Sequence, residues 1–267
     1  MRLLTLNCHS WQEEQQLAKL NQIVTHIIQQ DYDVIALQEV SQLMDTPILY
    51  DNVREDNFVY LIQQELRKQG LDYSFVWDFS HIGYDAYEEG LALLTKHPII
   101  KSDSYYISRS QDTMDWKSRK IVRATIDVNG THITFNSCHL GWWEDAEEPF
   151  SEQFNHLIAR MDPLEWTLFL GDFNNDALER GTGYDYMVQR GLHDVFLLAQ
   201  ETVGVETVEG KIDGWEENQH GLRLDLVLSN RKIDVDRVGV VFDGVLAPVV
   251  SDHFGVEVDI SIQKEPI

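Results

Sequence analysis

Several side chains suited to holding a phosphate or a metal ion recur at the ends of short apolar runs. Leu3-Leu4-Thr5-Leu6 ends in Asn7, and Val34-Ile35-Ala36-Leu37 ends in Gln38-Glu39. Ile133 to Cys138 leads to His139, and Leu168-Phe169-Leu170-Gly171 leads to Asp172-Phe173-Asn174. Asp225 lies inside Arg223-Leu-Asp-Leu-Val-Leu228, while Ser251-Asp252-His253 immediately precedes the apolar stretch 254–260. Each has an ordinary reading alone: Asn7 as a turn residue, Glu39 as a solvated strand-end charge, Asp225 as the partner of Arg223, and the two histidines as core groups. Carboxylates are rarely buried without a partner or a cation. Their repetition at strand ends therefore points to one shared site at one edge of a sheet.

The runs that carry these groups read as buried strands at 2–6, 33–37, 91–95, 121–128, 131–138, 166–170, 222–229 and 254–260. Between them, Leu17, Leu20, Ile23, Val24, Ile27 and Ile28 recur at helical spacing and predict an amphipathic helix over 13–30. Weaker versions of that pattern predict helices over 57–69 and 151–161. Asn129-Gly130 predicts a hairpin joining 121–128 to 131–138, and His97-Pro98 is read as the turn of a second, joining 91–95 to 99–106. Sheet content is thus expected to be mixed. No repeat or flexible linker interrupts the 267 residues, so one domain over 1–267 is expected.

Charge narrows the partners. With 21 Lys and Arg against 45 Asp and Glu, the formal charge is −24, a field that repels polyanions. A nucleic-acid partner is disfavoured. The strongest basic cluster is Lys117, Arg119, Lys120 and Arg123, and Arg119 is the chosen phosphate contact. Opposing it, Trp142-Trp143-Glu-Asp-Ala-Glu-Glu148 makes an acidic, aromatic rim directly after His139. Trp142 and Trp215 offer apolar faces beside hydrogen-bonding groups, as a sugar ring requires. Cys8 and Cys138 are too few for a disulfide framework and read as small buried thiols. No apolar stretch approaches a membrane span, and no signal-peptide pattern is read at the start, so a cytoplasmic enzyme with no membrane partner is expected.

In the order Thr5-Leu-Asn7, Gln38-Glu39, His139-Leu140, Gly171-Asp-Phe-Asn174, Arg223-Leu-Asp225 and Ser251-Asp-His253, the chain resembles the endonuclease/exonuclease/phosphatase superfamily. That resemblance implies a four-layer α/β/β/α sandwich, with two mixed sheets face to face and helices outside. It also implies metal-dependent hydrolysis of a phosphate ester. Glu39 is then the principal ligand of Mg²⁺, with Mn²⁺ as the alternative; Asn7 stands beside it and Asp252 near the same or a second ion. Asp172 would deprotonate the attacking water, and Asn174 would donate to the phosphate. His253, aligned by Asp225, would donate to a phosphoryl oxygen, and His139 would be a phosphate donor or leaving-group acid with Glu89 as its carboxylate partner. The stretch from Gly210 to Leu228 further resembles a bacterial branch acting on phosphorylated disaccharides. A small phosphorylated sugar is the expected substrate, with a phosphodiester as the alternative.

Overall fold

A computed structural model describes residues 1–262. Its first third runs β1 (Arg2–Asn7), α1 (Gln16–Gln30), β2 (Val34–Leu43), β3 (Ile48–Tyr50), β4 (Val53–Arg54), α2 (Phe58–Lys68), β5 (Ser74–Gly83) and β6 (Tyr87–Thr95). Then come β7 (Ile99–Tyr106), β8 (Lys120–Val128), β9 (Thr131–His139), α3 (Phe150–Ile158), β10 (Trp166–Asp172), α4 (Gly183–Gln189) and β11 (His193–Asp194). The remainder is α5 (Val195–Leu198), β12 (Ala199–Val203), β13 (Val208–Glu209), β14 (Gly221–Leu222), β15 (Asp225–Ser229), β16 (Asp234–Val241) and β17 (Gly255–Ser261).

Thirteen of these strands form two large sheets: a seven-stranded one ordered β12-β16-β17-β1-β2-β6-β5 and a six-stranded one ordered β11-β15-β10-β9-β8-β7. Strand side chains alternate between faces, so a strand buried on both sides reads as an unbroken apolar run. In β1 and β2, Leu3, Val34 and Ala36 face inward to Val122, Phe135, Leu168 and Leu170 of the second sheet. Their neighbours Leu4, Leu6, Ile35 and Leu37 face outward to Leu20, Ile23 and Ile27 of α1 and Phe58, Ile62 and Leu66 of α2. On the far side, Phe150, Phe154 and Leu157 of α3 and Met187 of α4 cover Ile121, Phe169 and Leu228. The layers are helix, sheet, sheet, helix.

Three expectations need correction. The first helix starts at Gln16, not 13, and Leu17 and Ile28 lie outside its buried stripe. Left-handed residues His9, Trp11 and Gln15 turn the preceding chain, and the Gln16 side chain caps that turn by accepting from the amides of Trp11 and Glu13. Residues 91–95 and 99–106 form no hairpin: β6 pairs with β2 and β5, whereas β7 pairs with β8 in the other sheet. A tight hairpin loop wants residues at positive φ, which Pro98 cannot adopt, so the segment crosses between sheets. The run 222–229 is broken at Arg223-Leu224. There the Arg223 guanidinium leaves Asp225 and makes a bidentate pair with buried Asp194, both contacts at 2.8 Å. Removing one partner of such a pair strands a buried charge, so Arg223→Met is expected to cost about 3–5 kcal/mol, read as a lower urea midpoint.

Candidate active site

The pairing of the central strands brings the polar run-ends to one edge. Asn7 lies beside Gln38 in the parallel β1–β2 pair, and Asp172 lies beside His139 on one side and Asp225 on the other. Glu39 is aimed by a bulge: the β2–β6 register shifts between Leu37 and Val40, and Glu39 takes φ 50°. Asn174 likewise holds φ 48°, a conformation that non-glycine residues adopt where surrounding contacts enforce it. Gly171 has φ 149°, and a Cβ there would lie 1.9 Å from the Cys138 carbonyl oxygen. Only glycine permits β10 to approach β9 closely enough to set Asp172 beside His139.

A polar seam ties the two sheets together next to these groups. Gln38 Nε2 donates to Ser137 Oγ at 3.0 Å, and Ser137 Oγ donates to the Leu37 carbonyl at 3.0 Å. Asn7 completes it by donating to Glu39 Oε1 at 2.8 Å and to Asp172 Oδ2 at 3.2 Å. Asp172 Oδ1 accepts from the Asn174 amide at 2.8 Å. His253 Nδ1 meets Asp225 Oδ2 at 2.9 Å, which leaves Nε2 3.7 Å from Asp172 Oδ2. His139 Nε2 lies 3.7 Å from Asp172 Oδ2 and 3.9 Å from Glu39 Oε1.

These neighbours sort the protonation states. Burial lifts the Asp172 carboxyl to about 6, with the positive His253 opposing and Asp225 adding to the rise. Burial also lifts Glu39, to about 8, with further repulsion from Glu89. His253 is held well above its usual range because the carboxylates of Asp225 and Asp172 outweigh its desolvation. His139 is pushed well below its usual range, first by burial and then by Arg119 and His253, so it is a neutral imidazole. The edge thus presents one imidazolium, one neutral imidazole and a carboxylate ionised at neutral pH.

Around this edge lies a cavity of about 440 Å³ lined by His9, Glu39, His139, Asp172, Asn174, Asp252 and His253, together with His81, Glu89, Arg119, Trp116 and Trp142. Asp252 stands 3.6 Å from His9, which also pairs with Glu13 at 2.9 Å. Several substrate-side expectations change. Glu89 pairs with His81 at 3.3 Å, not with His139. Asn174 spends one amide hydrogen on the Leu140 carbonyl and accepts from Trp215 Nε1, so Trp215 braces Asn174 and is absent from the cavity wall. Trp143 packs inward on Phe150 and Tyr186. The basic cluster is dispersed: Lys117 pairs with Asp145, Lys120 with Asp78 and Arg123 with Asp103, leaving Arg119, 4% exposed, to the cavity. Sequence reasoning passed over His9, Tyr84, Trp116 and Asp213, all of which line the cavity from loops and strand ends with no periodic signal.

The donor set suits a hard divalent cation. It is built from carboxylate and amide oxygens, the Glu39 carboxyl is destabilised by neighbouring negative charge, and buried Asp225 Oδ1 has no hydrogen-bond partner. Asp172, Asp225 and His253 present ligand atoms within 4.8 Å of one another, as do His9, Glu13 and Asp252. A cation beside Glu39 would restore its ionised form.

Residues 4–253 match the Endonuclease/Exonuclease/phosphatase family, and the chain belongs to it. This makes the protein a phosphoester hydrolase on a fold of the metal-dependent type. Among solved structures, a family protein from Leptotrichia buccalis is 35% identical, with a TM-score of 0.92 over 98% of this chain and 100% of that one. A mannosyl-6-phosphatase from Bacteroides thetaiotaomicron is 16% identical, with a TM-score of 0.70 over 98% of this chain and 100% of its own. Truncated TDP2 from Caenorhabditis elegans shares the fold at 16% identity and a TM-score of 0.64, over 96% of this chain and 95% of its own. No curated protein matches the sequence. Among the described residues, no helix is long and apolar enough to cross a membrane.

Proposed function

We propose that the protein is a Mg²⁺-dependent phosphomonoesterase acting in the cytoplasm on a small phosphorylated sugar, with maltose 6'-phosphate the leading substrate. The observation that carries this reading is the shape and charge of the cavity. Tyr84 donates to Asp213 Oδ2 at 3.0 Å across the rim, and Gly214 lies against Trp142 so closely that a Cβ would fall 2.3 Å from the ring. The loop holding Asp213, Gly214 and Glu216 therefore closes over the aromatic wall, and its carboxylates repel a long anionic chain. A duplex draws affinity from many Lys and Arg along a track, whereas a small phosphate in a pocket needs few donors. Arg119 is the arginine or lysine this pocket offers among the described residues. The same fold in a protein named a mannosyl-6-phosphatase supports the choice of a sugar monoester.

In the reaction, Asp172 takes the proton of the attacking water; a base titrating near 6 is ionised at neutral pH yet strong enough to accept. His253, held as imidazolium by Asp225, donates through Nε2 to a phosphoryl oxygen. Neutral His139 donates a hydrogen bond, the role left to an imidazole kept from protonating. Arg119 neutralises phosphate charge. Glu39, Asn7 and Asp252 would hold the cation, whose contribution when bound is to offset charge on the phosphoryl and leaving oxygens.

Purified protein with Mg²⁺, assayed against a panel of sugar phosphates, a phosphodiester, plasmid DNA and sphingomyelin vesicles, tests this. Release of inorganic phosphate from sugar phosphates is expected; rapid DNA nicking or diester cleavage without phosphate release would overturn the reading. Thorough chelation is expected to abolish turnover and added Mg²⁺ to restore it. Turnover that survives chelation would remove the cation from the mechanism.

A further inference from the structure

Asn174 follows β10 in a left-handed conformation, is 4% exposed, and gives its backbone amide to Asp172 Oδ1. Its side-chain amide is anchored at both ends. Nδ2 donates to the Leu140 carbonyl at 2.9 Å, while Oδ1 accepts from Trp215 Nε1 at 3.1 Å. An indole N–H donates and never accepts, so the atom it holds is the amide oxygen. One Nδ2 hydrogen is then left for the cavity that Asn174 lines.

Trp215 reaches Asn174 from outside both large sheets. Strands β13 and β14 pair antiparallel, Val208 with Leu222 and Glu209 with Gly221, and residues 210–220 are the tip of that hairpin. The Trp215 ring packs with Ile212 on a small cluster of Val208, Leu222 and Leu224. At the hairpin's base, Thr207 Oγ1 accepts from the amides of Leu224 and Asp225, and the Thr207 carbonyl accepts from the Phe254 amide at 2.7 Å. The hairpin thus stands on backbone adjoining Asp225 and His253. Its tip meets the opposite wall through the Tyr84–Asp213 hydrogen bond and through Gly214 against Trp142. Cavity cover and Asn174 anchor are one piece of chain.

We propose that Trp215 is a positioning residue: its indole N–H holds the Asn174 amide with the remaining Nδ2 hydrogen presented to the phosphoryl group, so the hairpin covering the cavity also sets a group that acts on the phosphate. The inference rests on the phosphoester-hydrolase reading in which Asn174 donates to the phosphate. Without the indole, Asn174 Oδ1 is a buried acceptor with no partner, and the amide keeps one anchor of two. A donor that is no longer held in place stabilises the transition state less, which lowers kcat more than it raises KM.

The test is a double-variant cycle on the phosphate ester that the wild type turns over fastest in the panel above. Trp215→Phe keeps a ring against Ile212 and Leu224 and removes the N–H; kcat is expected to fall about tenfold with KM changed less than about twofold. Asn174→Gly removes the amide and accepts the left-handed backbone. Adding Trp215→Phe to Asn174→Gly should cost less than a further twofold or so, because the anchor acts only through the amide. Thermal unfolding shows which variants are folded, and Trp215→Leu replaces Trp215→Phe in the cycle if the latter is not. Equal losses in both backgrounds, or wild-type kcat in folded Trp215→Phe, overturn the inference and leave the hydrolase reading standing. Wild-type turnover in Asn174→Gly removes Asn174 from the chemistry and the inference with it, and a wild type that hydrolyses none of the esters overturns the proposed function itself.

Discussion

Asp172→Asn is expected to lower kcat by about a hundredfold or more while the protein stays folded. Asparagine keeps the shape of the side chain and an oxygen to accept from the Asn174 amide, so the left-handed turn after it persists while the hydrogen bond from Asn7 is lost. It cannot take a proton. Burial raises the wild-type carboxyl to about 6, and it lines the cavity beside His139 and His253. Steady-state kinetics on a sugar phosphate, with circular dichroism as the control, decide the matter. Near-normal turnover in a folded variant would take Asp172 out of the base role.

His253→Ala should cost kcat about 10²–10³-fold, the scale of removing one preorganised donor to a developing oxyanion. The change also leaves the Asp225 carboxylate buried without its imidazole, so lower stability is expected alongside lost activity. A double variant separates the two effects. Adding Asp225→Asn to His253→Ala removes the stranded charge, and the urea midpoint should recover toward wild type while kcat stays low. Recovery of activity in the double variant would mean that His253 acts only by satisfying Asp225.

The core of the site was legible because its chemistry is tied to strand periodicity. Asn7, Glu39, His139, Asp172 and Asp225 each terminate or occupy an apolar run, and buried strands declare themselves by such runs. What surrounds the core was harder to read. Glu89 was expected as the partner of His139, but the bulge in β5 presents His81 to it instead. Trp142 and Trp143 are adjacent in sequence, and adjacent residues diverge, so one lines the cavity and the other packs on α3 and α4. Arg119, expected as a phosphate contact, lines the cavity; the diversion of its basic neighbours to Asp78, Asp103 and Asp145 depends on contacts distant in the chain. Strands β5 and β16 were missed because polar residues such as Asp78, His81, Asp236 and Arg237 interrupt them. The turn at His97-Pro98 looked local, yet β6 has β2 and β5 on its two sides, and β7 pairs with β8 in the other sheet.

The Gln38–Ser137 and Asn7–Asp172 hydrogen bonds pin one sheet to the other beside the reacting groups. They act like dowels between two boards. Sliding either board would separate Asp172 from Asn7 and Glu39, so alignment of the halves is maintained by the same atoms that sit at the site. The loops bearing Tyr84, Trp116 and Trp142 lie outside that joint. They are free to be exchanged for others that admit different leaving groups, with the hydrolytic apparatus carried over intact.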